Sequence, residues 1–62
     1  MKPSEIKKLQ PGDRIWWEDP DEGIGSRHYT VKRANTKGLR ATVECMDGTV
    51  LKCPVQEIQR PR

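Results

Sequence analysis

Apolar and polar residues alternate most regularly in the stretch from Leu39 to Val55. Every second residue is apolar on both sides of Asp47-Gly48, which is the period of strands with one buried face. The pattern predicts a β-hairpin whose three-residue loop ends at a left-handed Gly48. This loop sets the apolar residues opposite each other as the pairs Val43 and Leu51, Ala41 and Cys53, and Leu39 and Val55.

A short helical turn is predicted at the N-terminus. Ser4 is a residue type that caps helices, and Ile6 and Leu9 lie three apart, on one side of such a turn. Pro11-Gly12 then ends it. We expect the two apolar side chains to cover one open end of a β-barrel.

The first strand is predicted between Asp13 and Glu18, with Ile15 and Trp17 on the buried face. Burying Trp16 instead would also bury the charged residues beside it, at a free-energy cost larger than a second indole gains. Trp16 is therefore expected to be largely exposed.

Two further strands complete the pattern. The segment from Arg27 to Ala34 places Tyr29 and Val31 on one face, and residues 35–38 are expected to connect it to the hairpin. Val55 and Ile58, three apart after a proline, predict a 3₁₀ turn that leads into a last short strand.

The segment from Asp19 to Ser26 is predicted to be a solvated loop, because it holds one proline and two glycines in eight residues. Four of the nine acidic residues lie between Glu18 and Glu22. They lack the alternating ligands and final glutamate of a calcium-binding EF-hand loop, so no calcium site is predicted.

The predicted order of elements is that of an all-β protein, with one domain spanning residues 1–62. Five short antiparallel strands with one apolar face commonly close into a small barrel, which removes exposed edges. Leu9 to Ile15 is similar to the pattern L-x-P-G-D-x-V that precedes the first strand of many Src-homology-3-like (SH3-like) barrels. With the acidic first loop and the turn from Val55 to Ile58, the chain resembles this superfamily. The resemblance implies a five-stranded antiparallel SH3-like barrel after a short N-terminal helical turn.

A second resemblance concerns the segment from Trp17 to Gly23, followed by Ser26, Tyr29 and Val31. It is similar to small bacterial proteins carried on phages and conjugative elements, which implies a bacterial or mobile-element origin but no activity. SH3-like domains that bind proline-rich peptides use a run of surface aromatic residues. This chain has three aromatic residues in all, so that function is not implied.

No apolar run approaches the roughly 20 residues of a membrane span, and the N-terminus has no apolar signal region. We expect a soluble cytoplasmic protein without a membrane partner. In the predicted register Cys45 and Cys53 are about 13 Å apart, beyond the roughly 7 Å that a disulfide allows between Cα atoms. Both are therefore expected to be reduced core residues.

The residue types that carry catalysis or bind metals are scarce. His28 is the only histidine, and no serine or cysteine has an evident base beside it. A zinc site of His28, Cys45 and Cys53 would lack a fourth ligand. We therefore expect no enzyme activity, cofactor or metal.

The charge distribution points to a binding function. The chain has 12 lysine and arginine residues against 9 acidic residues. Five of these 12 basic residues lie in the segment from Gly23 to Val43, which contains no acidic residue. These residues, with Trp16 available for base stacking, predict weak and non-specific nucleic-acid binding: Arg27, Lys32, Arg33, Lys37 and Arg40. A solvated β surface carries the same residue types for solubility, so charge alone leaves both interpretations open.

An alternative hypothesis is a protein-interaction module, such as a phage or plasmid regulator or inhibitor. Trp16 and the acidic loop would then contact a basic protein partner. The acidic residues of this alternative site are Glu18, Asp19, Asp21 and Glu22.

Overall fold

The structure, a computed structural model, describes residues 1–20, 25 and 27–61. It contains one helical turn, five strands and one 3₁₀ turn. In chain order these are α1 (Pro3–Lys7), β1 (Arg14–Trp17), β2 (Arg27–Lys37), β3 (Arg40–Cys45), β4 (Val50–Pro54), the 3₁₀ turn (Val55–Glu57) and β5 (Ile58–Gln59). The predicted all-β class and the predicted 3₁₀ turn are confirmed.

All neighbouring strands are antiparallel, and they form one sheet in the order β4, β3, β2, β1, β5. Within the described residues no pairing joins the outer strands β4 and β5, so the sheet is not closed. The closure into a barrel that the sequence predicts is therefore absent from the strand pairing.

The register of the hairpin formed by β3 and β4 is the predicted one. Ala41 pairs with Cys53 and Val43 with Leu51. The turn between the strands contains Gly48, which has the predicted left-handed backbone with φ of 92°. Asp47 supports this turn, because its Oδ1 accepts a hydrogen bond from the backbone N–H of Thr49 at 2.9 Å. This bond is the main cause that lowers the pKa of the Asp47 carboxyl.

A β-bulge divides β2 into two halves. Val31 pairs with Cys45, but the next pair joins Arg33 to Glu44, so Lys32 is an extra residue on β2. Before the bulge the odd-numbered Tyr29 and Val31 are buried, and after it the odd-numbered residues are exposed. The bulge therefore reverses which residues of β2 face the core.

The sequence prediction ended β2 three residues too early. The strand continues to Lys37, which pairs with Arg40, so the connection to β3 is the two-residue turn Gly38-Leu39. Leu39, predicted to lie on the apolar face, is instead 74% exposed in this turn. Its backbone still meets the predicted partner, since the N–H of Val55 donates to the carbonyl of Leu39 at 2.9 Å.

The N-terminal helical turn begins one residue before the predicted cap. Pro3 starts α1, which suits a residue with no N–H to satisfy, and Ser4 lies inside the first turn instead of capping it. The Glu5 side chain accepts a hydrogen bond from the backbone N–H of Lys2 at 3.3 Å. Ile6 is fully buried and Leu9 packs against the core, as predicted.

The two tryptophans lie on opposite faces of β1, as predicted. Trp17 is less buried and Trp16 is less exposed than the sequence predicts. Trp17 is half-buried, packs against the core, and donates from Nε1 to Oε1 of Glu57 at 3.1 Å. Trp16 was predicted to be largely exposed and is half-buried. Its ring contacts His28 edge-on, with 4.9 Å between ring centroids, and that contact removes part of the indole from water.

The core combines residues from α1, all five strands and the 3₁₀ turn. Its buried residues are Ile6, Ile15, Tyr29, Val31, Ala41, Val43, Cys45, Leu51, Cys53, Val55 and Ile58. Both cysteines are free, and burial raises the pKa of the Cys53 thiol to about 11. At neutral pH the two thiols are therefore small apolar core groups, as predicted.

One edge of the sheet is the outer side of β4. The N–H of Cys45 donates to Thr49 and that of Val55 to Leu39, so the odd-numbered residues of β4 bond to β3. The main-chain groups of Val50 and Lys52 therefore point away from the sheet. Pro54, at the end of this edge, has no N–H to offer.

We predict that Gly48→Ala lowers the free energy of unfolding by about 1 kcal/mol, because a left-handed backbone disfavours a Cβ atom. The predicted loss of stability does not come from a steric clash with other residues, since a Cβ at Gly48 would meet nothing within 4 Å. Urea denaturation of Gly48→Ala and Gly48→Asn measures the effect. Asparagine tolerates this backbone better, so its variant should lose less stability, and equal losses would contradict the assignment.

We predict that the domain stays folded both when Lys32 is deleted and when it is replaced in Lys32→Ala. Deletion removes the extra residue, so Arg33 follows Val31 directly and regular alternation keeps Arg33 and Lys37 on the solvent side, opposite Glu44 and Arg40. Circular dichroism during thermal unfolding measures both variants. A deletion variant that no longer melts cooperatively would contradict the assignment of Lys32 as the extra residue of β2.

Candidate functional site

The bulge and the two hairpins place a group of cations on one side of the sheet. We define the basic face as the solvent-facing side of β3, β4 and the second half of β2. Directly paired residues of antiparallel strands share a face, and so do residues two apart on one strand. The basic face therefore carries the side chains of Arg33, Asn35, Lys37, Arg40, Thr42, Glu44, Val50, Lys52 and Pro54.

Lys37 and Arg40 are directly opposite each other where β2 and β3 meet their turn. Their Cα atoms are therefore about 5.5 Å apart, the spacing of a hydrogen-bonded antiparallel pair. Lys52 pairs with Thr42 and is the diagonal neighbour of Arg40, a separation of about 7–8 Å. Three cations from three strands thus lie within one small area.

These cations line an open groove of about 440 Å³. The polar and charged residues at its walls are Asn35, Thr36, Lys37, Arg40, Thr42 and Lys52. No acidic residue lines it. The amide of Asn35 and the hydroxyl of Thr42, which share the basic face, add neutral hydrogen-bond donors beside the three positive charges.

The cations of the groove form no ion pair with any residue that the structure describes. In the described part of the chain, Lys37, Arg40 and Lys52 make no side-chain hydrogen bond and no ion pair. All three are exposed. Like charges directly opposite each other destabilise a sheet, so the Lys37 and Arg40 pair opposes folding. An anion bound in the groove would relieve this repulsion.

The sequence prediction found part of this site. Arg33, Lys37 and Arg40 were predicted, and they share the basic face. Lys52 was missed because the prediction used the acid-free segment before Val43. The signal was nevertheless present, since the predicted hairpin register already pairs Lys52 with Thr42 on the solvent side.

Two of the other predicted cations lie elsewhere. Arg27 is at the start of β2, on the same face as Tyr29, and its guanidinium carbon is 5.7 Å from the centroid of the Tyr29 ring. Its charge also helps to lower the pKa of the Asp47 carboxyl. Lys32 is the exposed bulge residue beside Arg33. Neither lines the groove.

Trp16, predicted to stack on bases, is on β1 and outside the groove. Its Nε1 donates to Oε2 of Glu18 at 2.8 Å, and its ring contacts His28. The indole is therefore held by contacts within the domain, to Glu18 after the end of β1 and to His28 on β2.

The acidic residues of the alternative site are only partly described. The backbone N–H of Glu18 donates to the carbonyl of Glu57 at 2.9 Å. Asp19 accepts a hydrogen bond at Oδ2 from the backbone N–H of Gly25 at 2.9 Å. Asp21 and Glu22 lie outside the described residues.

Metal ligands and membrane spans were also considered. Among residues 1–20, 25 and 27–61, no group of three or more histidine, cysteine, aspartate or glutamate side chains is placed to hold a metal ion. No helix in the same residues is long and apolar enough to cross a membrane.

We predict that Lys37→Gln raises the free energy of unfolding by about 0.2–1 kcal/mol at low salt, because it removes the repulsion from Arg40. Arg33→Gln is the matched control: it removes the same charge from the same strand, but opposite Glu44. It should leave stability unchanged or lower it. Urea denaturation at 50 mM and 500 mM salt measures both, and a larger stability in Arg33→Gln would contradict the assignment.

No protein-family model matches this chain, and neither a curated protein nor a solved structure matches it. Its function is therefore inferred from the positions of its own side chains.

Proposed function

We propose that this chain is a non-catalytic nucleic-acid-binding module that contacts the phosphate backbone through the basic face. The observation that carries the proposal is the opposed pair Lys37 and Arg40, which shares the groove with Lys52 and forms no ion pair with the described residues. A pair of cations that weakens the fold is expected where an anionic ligand compensates for it.

The groove fits phosphate better than a carboxylate-bearing small molecule. The three cations are spread over about 5–8 Å along and across the strands, so they are suited to several successive charges rather than one. Arginine binds phosphate oxygens in a bidentate manner, and lysine acts as a point charge. Asn35 and Thr42 lie next to these cations on the same face and supply the neutral donors that commonly complete backbone contacts.

The chemistry of the groove also sets the expected specificity. Lysine and arginine contacts to phosphate position a protein on nucleic acid but do not read the sequence of bases. We therefore propose weak, largely sequence-independent binding with a strong salt dependence. An accessory role beside a sequence-specific partner suits such a module.

The proposal includes an architecture and an origin. We propose that the two halves of β2 belong to the two sides of an SH3-like barrel, with the 3₁₀ turn leading the chain from β4 to β5. Support comes from the bulge in β2 and from the predicted and observed turn at Val55–Glu57. The resemblance of the first loop to small proteins of phages and conjugative elements supports a bacterial, mobile-element origin.

The alternative function, a protein-interaction module, has less support from the geometry. Trp16, Glu18 and Asp19 are half-buried. All three also make the internal hydrogen bonds described above. A hot spot of this kind would have to give up internal bonds to bind a partner, whereas Lys37, Arg40 and Lys52 make no side-chain hydrogen bond to the described residues.

We predict that log K for a mixed-sequence DNA duplex falls with log salt at a slope of about −2.7 if Lys37, Arg40 and Lys52 each contact one phosphate, or about 40-fold between 50 and 200 mM. Lys37→Gln with Lys52→Gln should reduce the slope by about 1.8. Fluorescence anisotropy of a labelled duplex measures both values.

The matched control is Lys7→Gln with Lys8→Gln, two exposed lysines at α1 and its end. It removes the same net charge at a different place, so the slope should stay within error of the wild type. An equal loss of slope in both double variants would show that the contact is not on the basic face. Absence of binding to DNA or RNA at 50 mM salt would overturn the proposed function.

A further inference from the structure

The apex of the hairpin formed by β2 and β3 carries an unexpected apolar side chain. Leu39 is 74% exposed, more than the exposed Met46 at 53% and Val50 at 51%. It lies in the two-residue turn between Lys37 and Arg40, so two of the three cations of the groove flank it. A single exposed leucine is common on protein surfaces. Leu39 differs because it lies at the apex of a hairpin, between two cations.

The turn holds Leu39 in this position. The backbone carbonyl of Leu39 accepts a hydrogen bond from the N–H of Val55 at 2.9 Å, which ties the turn to the end of β4. Gly38 has a left-handed backbone with φ of 61°, as a tight turn between two paired strands requires. The leucine is therefore presented to solvent by a backbone that is fixed at both ends.

The form of nucleic acid follows from the aromatic residues. Binding of single strands depends on aromatic rings on which unstacked bases lie. The chain has two tryptophans, one tyrosine and no phenylalanine. Trp17 and Tyr29 pack inward, and Trp16 lies outside the groove against His28. The basic face thus has no stacking platform, which favours a duplex over a single strand.

We propose that Leu39 is a wedge that enters the minor groove of duplex DNA and opens one base step, while Lys37 and Arg40 contact phosphates on either side. This inference rests on the proposed function. Leucine is among the side chains that architectural proteins insert between base pairs, and such insertion kinks the duplex. A single side chain at a hairpin apex is narrow enough for a minor groove about 6 Å wide.

The same geometry predicts which duplex is bound best. The minor groove of A-form RNA is wide and shallow, so an apolar tip gains little there. Pyrimidine–purine steps such as TA unstack most easily, so a wedge without base-specific contacts should prefer them. The ligand class is therefore duplex DNA that contains a flexible step.

The test uses a DNA duplex with a central TA step and a fluorescent donor and acceptor at its ends. Wild-type protein at saturation should raise energy transfer, because a kink shortens the distance between the ends. Leu39→Ala should keep the wild-type salt slope, lose the rise in transfer, and bind about tenfold more weakly. Leu39→Met, which is also a wedge residue, should restore the rise.

Met46→Ala is the matched control, since it removes an exposed apolar side chain from the other hairpin turn. It should bend the duplex like the wild type. Circular dichroism should show all variants folded, because neither side chain belongs to the core.

The outcomes separate the two proposals. If the wild type binds the duplex with the expected salt slope but leaves energy transfer unchanged, or if Leu39→Ala bends it equally, the wedge is wrong and the phosphate-binding function stands. If neither DNA nor RNA is bound, the proposed function fails, and binding to RNA alone would overturn only the wedge. Leucine-dependent binding to vesicles with anionic lipids, without bending of DNA, would also overturn the wedge, because it would make Leu39 a membrane contact.

Discussion

The extra residue in β2 is the constraint on which the rest of the structure depends. Upstream of Lys32 the strand contributes Tyr29 and Val31 to the core and pairs with β1. Downstream it pairs with β3 and turns its odd-numbered residues to solvent. The bulge absorbs this extra residue, so a single strand serves both halves of the sheet. Regular pairing through Lys32 would instead turn Arg33 and Lys37 toward the core.

Stability and the proposed binding are opposed in this domain. A chain of 62 residues buries only about 60% of its unfolded surface, so its margin of stability is small and a few tenths of a kcal/mol matter. Lys37 and Arg40 nevertheless lie opposite each other and form no ion pair with the described residues. The core, formed by residues from every element, has to offset this repulsion. The anionic ligand that we propose accounts for this arrangement, whereas the stability of the free protein does not.

The sequence determined the parts of the fold where several signals agree. The register of β3 and β4 was predictable because a strict apolar period and a turn glycine favour the same pairing. The bulge was not, since Ala34 and Thr36 are weak markers of a buried face. The rule that large apolar residues point inward was wrong for Leu39, where turn geometry decides. Trp16 was placed on the correct face, but its contacts with His28 and Glu18 join residues that the chain pattern alone does not bring together.

Lys52 has a further consequence that follows from its position in β4. The outer side of that strand presents unpaired main-chain groups, which make any sheet edge a template for joining another chain. A lysine in the middle of the edge, followed by Pro54, discourages this, because stacking two such edges would bring ammonium groups together and leave a carbonyl without a donor. Lys52, which supplies a charge to the groove, therefore also disfavours edge-to-edge aggregation of the domain.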